Sequence, residues 1–245
     1  MPMHATLMEL VQSTSCALVF ALFLLPCGFL TAYASNIHGF RERSSLERLL
    51  WSTALSLPVA IVLAELLGRI ASPGAVEAVF LVLLFMATVL ALRIRSRIVW
   101  SREARLIAIA ALLLAAYLLL TLLDVQVGNK LFVPTTFTDW GVRAPLIWSA
   151  IRGPVPPHNP LSALGGHPAP LRYYYFWYVL CALPAHLLHA SPSAALAASS
   201  VWAGFALLSV AFLLVKYFVP SEFPLRRYAL LLLLPMLVIG LDILP

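Results

Sequence analysis

Charge is the scarcest ingredient of this chain. Lysine, arginine, aspartate and glutamate make up 11% of its 245 residues, and only ten residues are acidic. A soluble domain carries about a quarter of its residues charged. With 62% hydrophobic residues as well, one water-facing fold of this size cannot hide its apolar side chains in a single core. A soluble globular protein is therefore excluded. Cysteine is nearly absent too: Cys16, Cys27 and Cys181 stand in apolar stretches with no CxxC pair, which excludes a disulfide framework and a cysteine zinc site. No glycine-rich phosphate loop, serine nucleophile elbow or HExxH occurs. No internal repeat is visible. His158 and His167 lack regular ligand spacing, which speaks against a structural metal site.

What the chain has in abundance is uncharged length. About 18 or more apolar residues cross the hydrocarbon layer as a helix, and the sequence offers seven candidates: Val11–Ala34, Leu49–Gly68, Gly74–Leu92, Leu106–Leu123, Tyr173–Leu188, Ser191–Val215 and Tyr228–Leu241. The fifth is short, and the seventh contains Pro235. The expected fold is thus all-α, a polytopic transmembrane helix bundle of about seven spans with one long extracytoplasmic loop. Ala32-Tyr33-Ala34 before Ser35 resembles a signal-peptidase box, but the apolar stretch is too long for a signal peptide and the opening MPMHATLMEL has no lysine or arginine. The first span is expected to stay.

Arginine placement sets the expected orientation. Arg41, Arg43 and Arg48 follow the first span, and Arg93, Arg95, Arg97, Arg102 and Arg105 follow the third, so both connections should be cytoplasmic. The amino terminus and the long connection from Asp124 to Arg172 are then outside. Lys216, Arg226 and Arg227 conflict with strict alternation. Either their loop violates the rule, or the Ala190-Ser191-Pro192 break does not separate two true crossings. His186 and His189 are expected at the cytoplasmic end of the fifth span, solvated. Glu65 and Glu77 flank a short outer loop, where both can reach water.

The long loop is the natural place for function. It holds two of the three aspartates, Asp124 and Asp139. Thr138-Asp139 precedes WGVRAPLIWSAIR, in which Trp140, Ile147, Trp148 and Ile151 recur near helical spacing; the pattern predicts a short interfacial helix capped by threonine or aspartate. Prolines 154, 156, 157, 160, 168 and 170 then predict a stiff, extended return to the membrane. The loop closes on LGGHPAPLRYYYFWY, residues 164–178. Each of these residues has two readings. Asp139 is a helix cap or a functional carboxylate. Tyr173, Tyr174, Tyr175, Trp177 and Tyr178 form an interfacial aromatic belt or a ligand surface, and Arg143, Arg152 and Arg172 meet lipid phosphates or a substrate.

TDWGVRAPLIWSAIRG followed by PLRYYYFWYVL resembles the first outer loop of bacterial members of the GT-C superfamily of membrane glycosyltransferases. It also resembles an uncharacterised group of membrane proteins marked by a tyrosine triplet. The resemblance covers about Leu106 to Val219, the N-terminal portion of such an enzyme. It implies a sugar donor on polyprenyl phosphate, reaction at the extracytoplasmic face, and a catalytic acidic residue in this loop, a role that falls by position to Asp139. Chemistry of that kind needs a carboxylate to take the acceptor hydroxyl's proton and cations to meet the leaving phosphate. Lys130, Arg143, His167 and Arg172 suit the phosphate, Tyr173 and Tyr174 the sugar, and His158 completes the candidate binding set. Members often carry a second acidic residue beside the first, and none is adjacent to Asp139; the resemblance therefore leaves two readings, no cofactor or a divalent metal.

The expected organisation is one polytopic domain over 1–245, with three additional spans in 1–105, the GT-C-like core in 106–219 with outer loop 124–172, and a last span in 220–245. The expected partners are the lipid bilayer and a lipid-linked sugar, with no nucleic acid. Arginine outnumbers lysine and alanine is abundant, a coding bias of a GC-rich bacterial genome, and the expected location is the bacterial cytoplasmic membrane. The competing functions are a transporter or flippase, disfavoured by the scarcity of ionisable groups and broken helices in the spans, and a non-catalytic scaffold.

Overall fold

A computed structural model describes residues 4–94, 101–127, 130–132, 137–153, 155–164, 167–171 and 174–218. They are mostly helical. The elements are α1 (His4–Ser35), a 3-10 turn (Ile37–Glu42), α2 (Ser45–Gly68), α3 (Pro73–Arg93), α4 (Arg102–Leu122), β1 (Val125–Val127), β2 (Lys130–Phe132), α5 (Phe137–Arg152), β3 (His158–Leu164), β4 (His167–Pro170), α6 (Phe176–Leu188) and α7 (Pro192–Phe218).

Local signals explain the helix boundaries. The hydroxyls of Ser44, Ser101 and Ser191 accept hydrogen bonds from the backbone N–H groups of Glu47, Ala104 and Ala194, capping α2, α4 and α7. Pro73 opens α3 at its first helical position, where no N–H is needed. His189 adopts a left-handed conformation and ends α6, with the Ala190 N–H returning to the Ala185 carbonyl.

Five helices, α1, α2, α3, α4 and α7, are long and apolar enough to cross a membrane. α1 lies at the centre of the bundle and packs on α2, α3, α6 and α7. Its buried Cys16, Phe20, Phe23, Leu24 and Cys27 meet Phe80 of α3, Ala60 and Ala64 of α2, and the alanines 194, 195, 197 and 198 of α7. The three cysteines are free and buried, as expected for small apolar side chains. α4 leans on α7 and leaves Leu112, Leu113 and Leu120 exposed, a surface suited to lipid rather than water.

α6 corrects the sequence expectation of a fifth crossing. Its 13 residues reach only about 20 Å, short of the roughly 30 Å hydrocarbon layer. Both its ends sit at the same end of the bundle. At its start the Tyr175 hydroxyl donates to Glu65, near the C-terminus of α2, at 2.8 Å; near its finish His186 Nδ1 lies 2.7 Å from Glu77, in the first turns of α3. The next residues stay there too, since the Ser191 N–H donates to Gln12, near the start of α1, at 3.2 Å. α6 therefore lies across one end of the bundle, and α7 runs the full length to the other. There Lys216 Nζ meets Glu47 Oε1 at 2.9 Å and Glu103 Oε2 at 3.9 Å.

For Lys216 the anomaly in the charge pattern disappears with this correction; Arg226 and Arg227 lie outside the described residues. The break at 190–192 separates a surface helix from a crossing, and Lys216 falls at the end that also holds Arg41, Arg43, Arg48, Arg102 and Arg105. His186 is likewise not solvated at that end but paired with Glu77 at the opposite one. The expected seventh span, Tyr228–Leu241, lies outside the described residues.

The long loop covers the end opposite Arg41, Arg43, Arg48, Arg102 and Arg105. The Asp124 N–H donates to Glu9 Oε2 at 3.0 Å and the Gln126 N–H to Thr6 Oγ1 at 2.9 Å, tying the exit of α4 to the start of α1. β1 and β2 pair antiparallel. The proline-rich return is extended, as expected, and folds as the antiparallel pair β3–β4, with His158 opposite Pro170 and Leu164 opposite His167.

Candidate functional site

Two groups of polar side chains gather at the end covered by the loop. The first is built by α5 and β3. Leu146, Ile147 and Ala150 of α5 are buried and join the bundle core, so the other face of the helix looks outward. On that face the Arg152 guanidinium stacks over the Trp148 ring at 4.7 Å, and the Ser149 hydroxyl donates to the His158 carbonyl at 2.6 Å. Together with Pro145, Gly153, His158 and Pro160 they line a cleft of about 500 Å³. An aromatic face, a cation and an imidazole side by side can bind a ring with apolar C–H faces and an anionic substituent.

The second group lies below the loop. Glu65 and Glu77 are buried rather than water-facing, which corrects the sequence expectation. Glu65 Oε1 accepts from Arg69 Nε at 2.9 Å and from the Tyr175 hydroxyl at 2.8 Å, while its Oε2 is buried with no partner. Arg69 is half exposed, so solvent screens its share of the pair. Burial, then the neighbouring Glu65 carboxylate, pushes the Tyr175 phenol above its ordinary range, against the opposing pull of Arg69. A cavity of about 380 Å³ opens beside this group, between the α2–α3 turn, Ala150 and Gly153 of α5, and Val179, Ala182 and Leu183 of α6. At the end of α4, burial also raises the Asp124 carboxyl.

The residues singled out from sequence scatter over this end. α5 begins at Phe137, so Asp139 lies in its first turn rather than ahead of it. Arg143 is exposed on the next turn, and Lys130 is exposed on β2. His158 lines the cleft; His167 lies on β4. Tyr174 is 70% exposed, as a belt residue should be. Arg172 and Tyr173 lie outside the described residues. Of the members of that set whose side chains are described, the cleft brings in His158. Arg152 also lines it, a residue that the sequence offered to lipid phosphate or substrate; Trp148 and Ser149 were legible as part of a helix but not as a site. The Glu65–Arg69 pair carried a signal, the i,i+4 spacing; nothing local announced Tyr175 or His186 as partners of the two glutamates. Among the described residues no group of three metal-ligating side chains forms.

No family model, curated protein or solved structure matches this chain.

Proposed function

We propose that the protein is a membrane glycosyltransferase of the GT-C type, which moves a sugar from a polyprenyl-phosphate donor to an envelope acceptor at the extracytoplasmic face of the bacterial cytoplasmic membrane. The single observation that carries the reading is the cleft that Trp148 and Arg152 of α5 form with His158 of β3, at the end of the bundle opposite Arg41, Arg43, Arg48, Arg102 and Arg105; Asp139 lies on the same helix, about 14 Å from Trp148 along its axis. In the proposed reaction the acceptor oxygen attacks the anomeric carbon while the Asp139 carboxylate takes its proton. The bond from that carbon to the phosphate oxygen breaks, and the electron pair leaves with the phosphate. Arg143, Arg152, Lys130, His167 and Arg172 supply cations for the charge that develops, and Trp148, Tyr173 and Tyr174 offer aromatic faces to the sugar.

The test uses the full chain in nanodiscs with a radiolabelled polyprenyl-phosphate sugar. Asp139→Asn should lower transfer by at least about 100-fold, the scale of a lost general base, with an unchanged unfolding midpoint. Wild-type-like transfer in that variant removes Asp139 from the role.

A second reading, translocation of an amphipathic solute, gains from one observation. Glu65 and Glu77 are buried ionisable groups, and Arg69, the partner of Glu65, lines a cavity at the same end, the kind of marker transport paths carry. Vesicles containing the protein and a dye-labelled lipid separate the two: dye equilibration between leaflets, lost in Glu77→Gln, favours transport.

A further inference from the structure

The opposite end of the bundle holds a groove that the proposed reaction does not use. It runs between α1, α2 and α3, has a volume of about 460 Å³, and is walled by hydrocarbon from Leu22, Leu25, Phe29, Leu84 and Leu92. Along α3 its lining extends from Leu84 to Ile94, ten residues or about 15 Å, which is half of the hydrocarbon layer. That is the depth of one lipid leaflet. Its mouth lies at the arginine-bearing end, because Ile94 follows the last turn of α3 and Ser45 begins α2.

Among the described residues one charged side chain lines it. Arg48 is only 8% exposed. Its Nη1 donates to the Ile94 carbonyl at 2.8 Å, and its Nε is buried without a partner. Among the described residues no carboxylate lies within ion-pairing distance of it. The adjacent Glu47 is engaged by Lys216 and, at 4.0 Å, by Arg43. A buried guanidinium without a counter-ion is costly, and a phosphate matches its planar fork. The anion must reach it along a wall of hydrocarbon, in the leaflet next to a belt of arginines.

We propose that this groove holds one membrane phospholipid of the arginine-side leaflet, with its phosphate on Arg48 and an acyl chain along α1 and α3. The occupant is a lipid and not free phosphate, because the lining is almost entirely apolar and only a molecule with a chain fills it. The bound lipid supplies the charge that the protein leaves out, and clamps α3 to α2 through the same guanidinium that holds Ile94.

Native mass spectrometry of the full chain released from delipidated micelles tests this, with dioleoyl phosphatidylglycerol, dioleoylglycerol and inorganic phosphate as separate probes. One equivalent of phosphatidylglycerol should be retained, and neither of the other two. Arg48→Gln should weaken retention at least about tenfold, the scale of one charge-assisted hydrogen bond. Ala91→Phe, which fills the groove from its exposed wall and leaves Arg48 intact, should weaken it as well and stands in if Arg48→Gln does not fold. Equal retention of dioleoylglycerol, retention of inorganic phosphate alone, or undiminished phosphatidylglycerol binding in Ala91→Phe overturns the proposal.

Discussion

Adjacent residues in this chain take opposite fates. Tyr174 is exposed at the membrane end, whereas Tyr175, one position on, is buried and donates to Glu65. The tyrosine triplet therefore is not a uniform belt. Because the Tyr175 phenol is pushed up from its ordinary value of 10.0, the folded state holds that proton more tightly than the unfolded chain does. Its contribution to stability is complete below pH about 10 and is lost as pH rises through the higher folded value. Ultraviolet titration of the wild type minus Tyr175→Phe should show a phenol that ionises above pH 10; a midpoint at or below it removes the buried contact with Glu65. The same contrast marks the acidic residues. Glu65 and Glu77 read as outer-loop carboxylates in sequence, and each is buried because a partner from α6 or its approach meets it.

Among the elements, α1 and α2 approach each other closely. A Cβ built on Gly28 would fall 1.8 Å from the Ser52 carbonyl oxygen, a backbone atom that cannot move aside alone. Small residues at such crossings let helices pack by close contact where no hydrophobic effect drives them together. Gly28→Ala should force the two helices apart and cost about 1–3 kcal/mol, read as a lower thermal midpoint in detergent; an unchanged midpoint shows that the helices do not cross there. Polar links add to these contacts. Trp202 Nε1 donates to Ser56 Oγ at 3.0 Å and Trp177 Nε1 to Ser199 Oγ at 3.1 Å, each worth about 0.6 kcal/mol inside a membrane. They place α7 against α2 and the start of α6 against α7.

At the scale of the whole molecule the result is a two-ended body. One end carries Arg41, Arg43, Arg48, Arg102, Arg105 and Lys216; the other carries the loop, the cleft, the buried glutamates and both ends of α6. Single cysteines, introduced into a chain whose Cys16, Cys27 and Cys181 are alanine, should report this directly. Ile70→Cys and His189→Cys should react with an impermeant maleimide from one side of the membrane, and Arg41→Cys and Phe218→Cys from the other. Labelling of position 189 together with position 41 would restore α6 as a crossing and undo the topology.

Sequence alone determined that the chain is embedded, and where the boundaries of α1 to α4 and α7 fall to within about four residues, except the start of α1, expected at Val11 and found at His4. Apolar length is a local property, and a helix in lipid must satisfy its backbone within its own segment. The helix α5 was legible for a related reason, its spacing of tryptophan and isoleucine between charges. Only tertiary structure decided that α6 lies across the bundle. That outcome rests on Tyr175 meeting Glu65 and His186 meeting Glu77, pairs more than a hundred residues apart. Tertiary structure also decided that Trp148 and Arg152 share a cleft with His158, and that Arg48 lies buried at the mouth of an apolar groove. Hydropathy depends on each segment by itself, while the pairing of a buried charge depends on what folding brings to it.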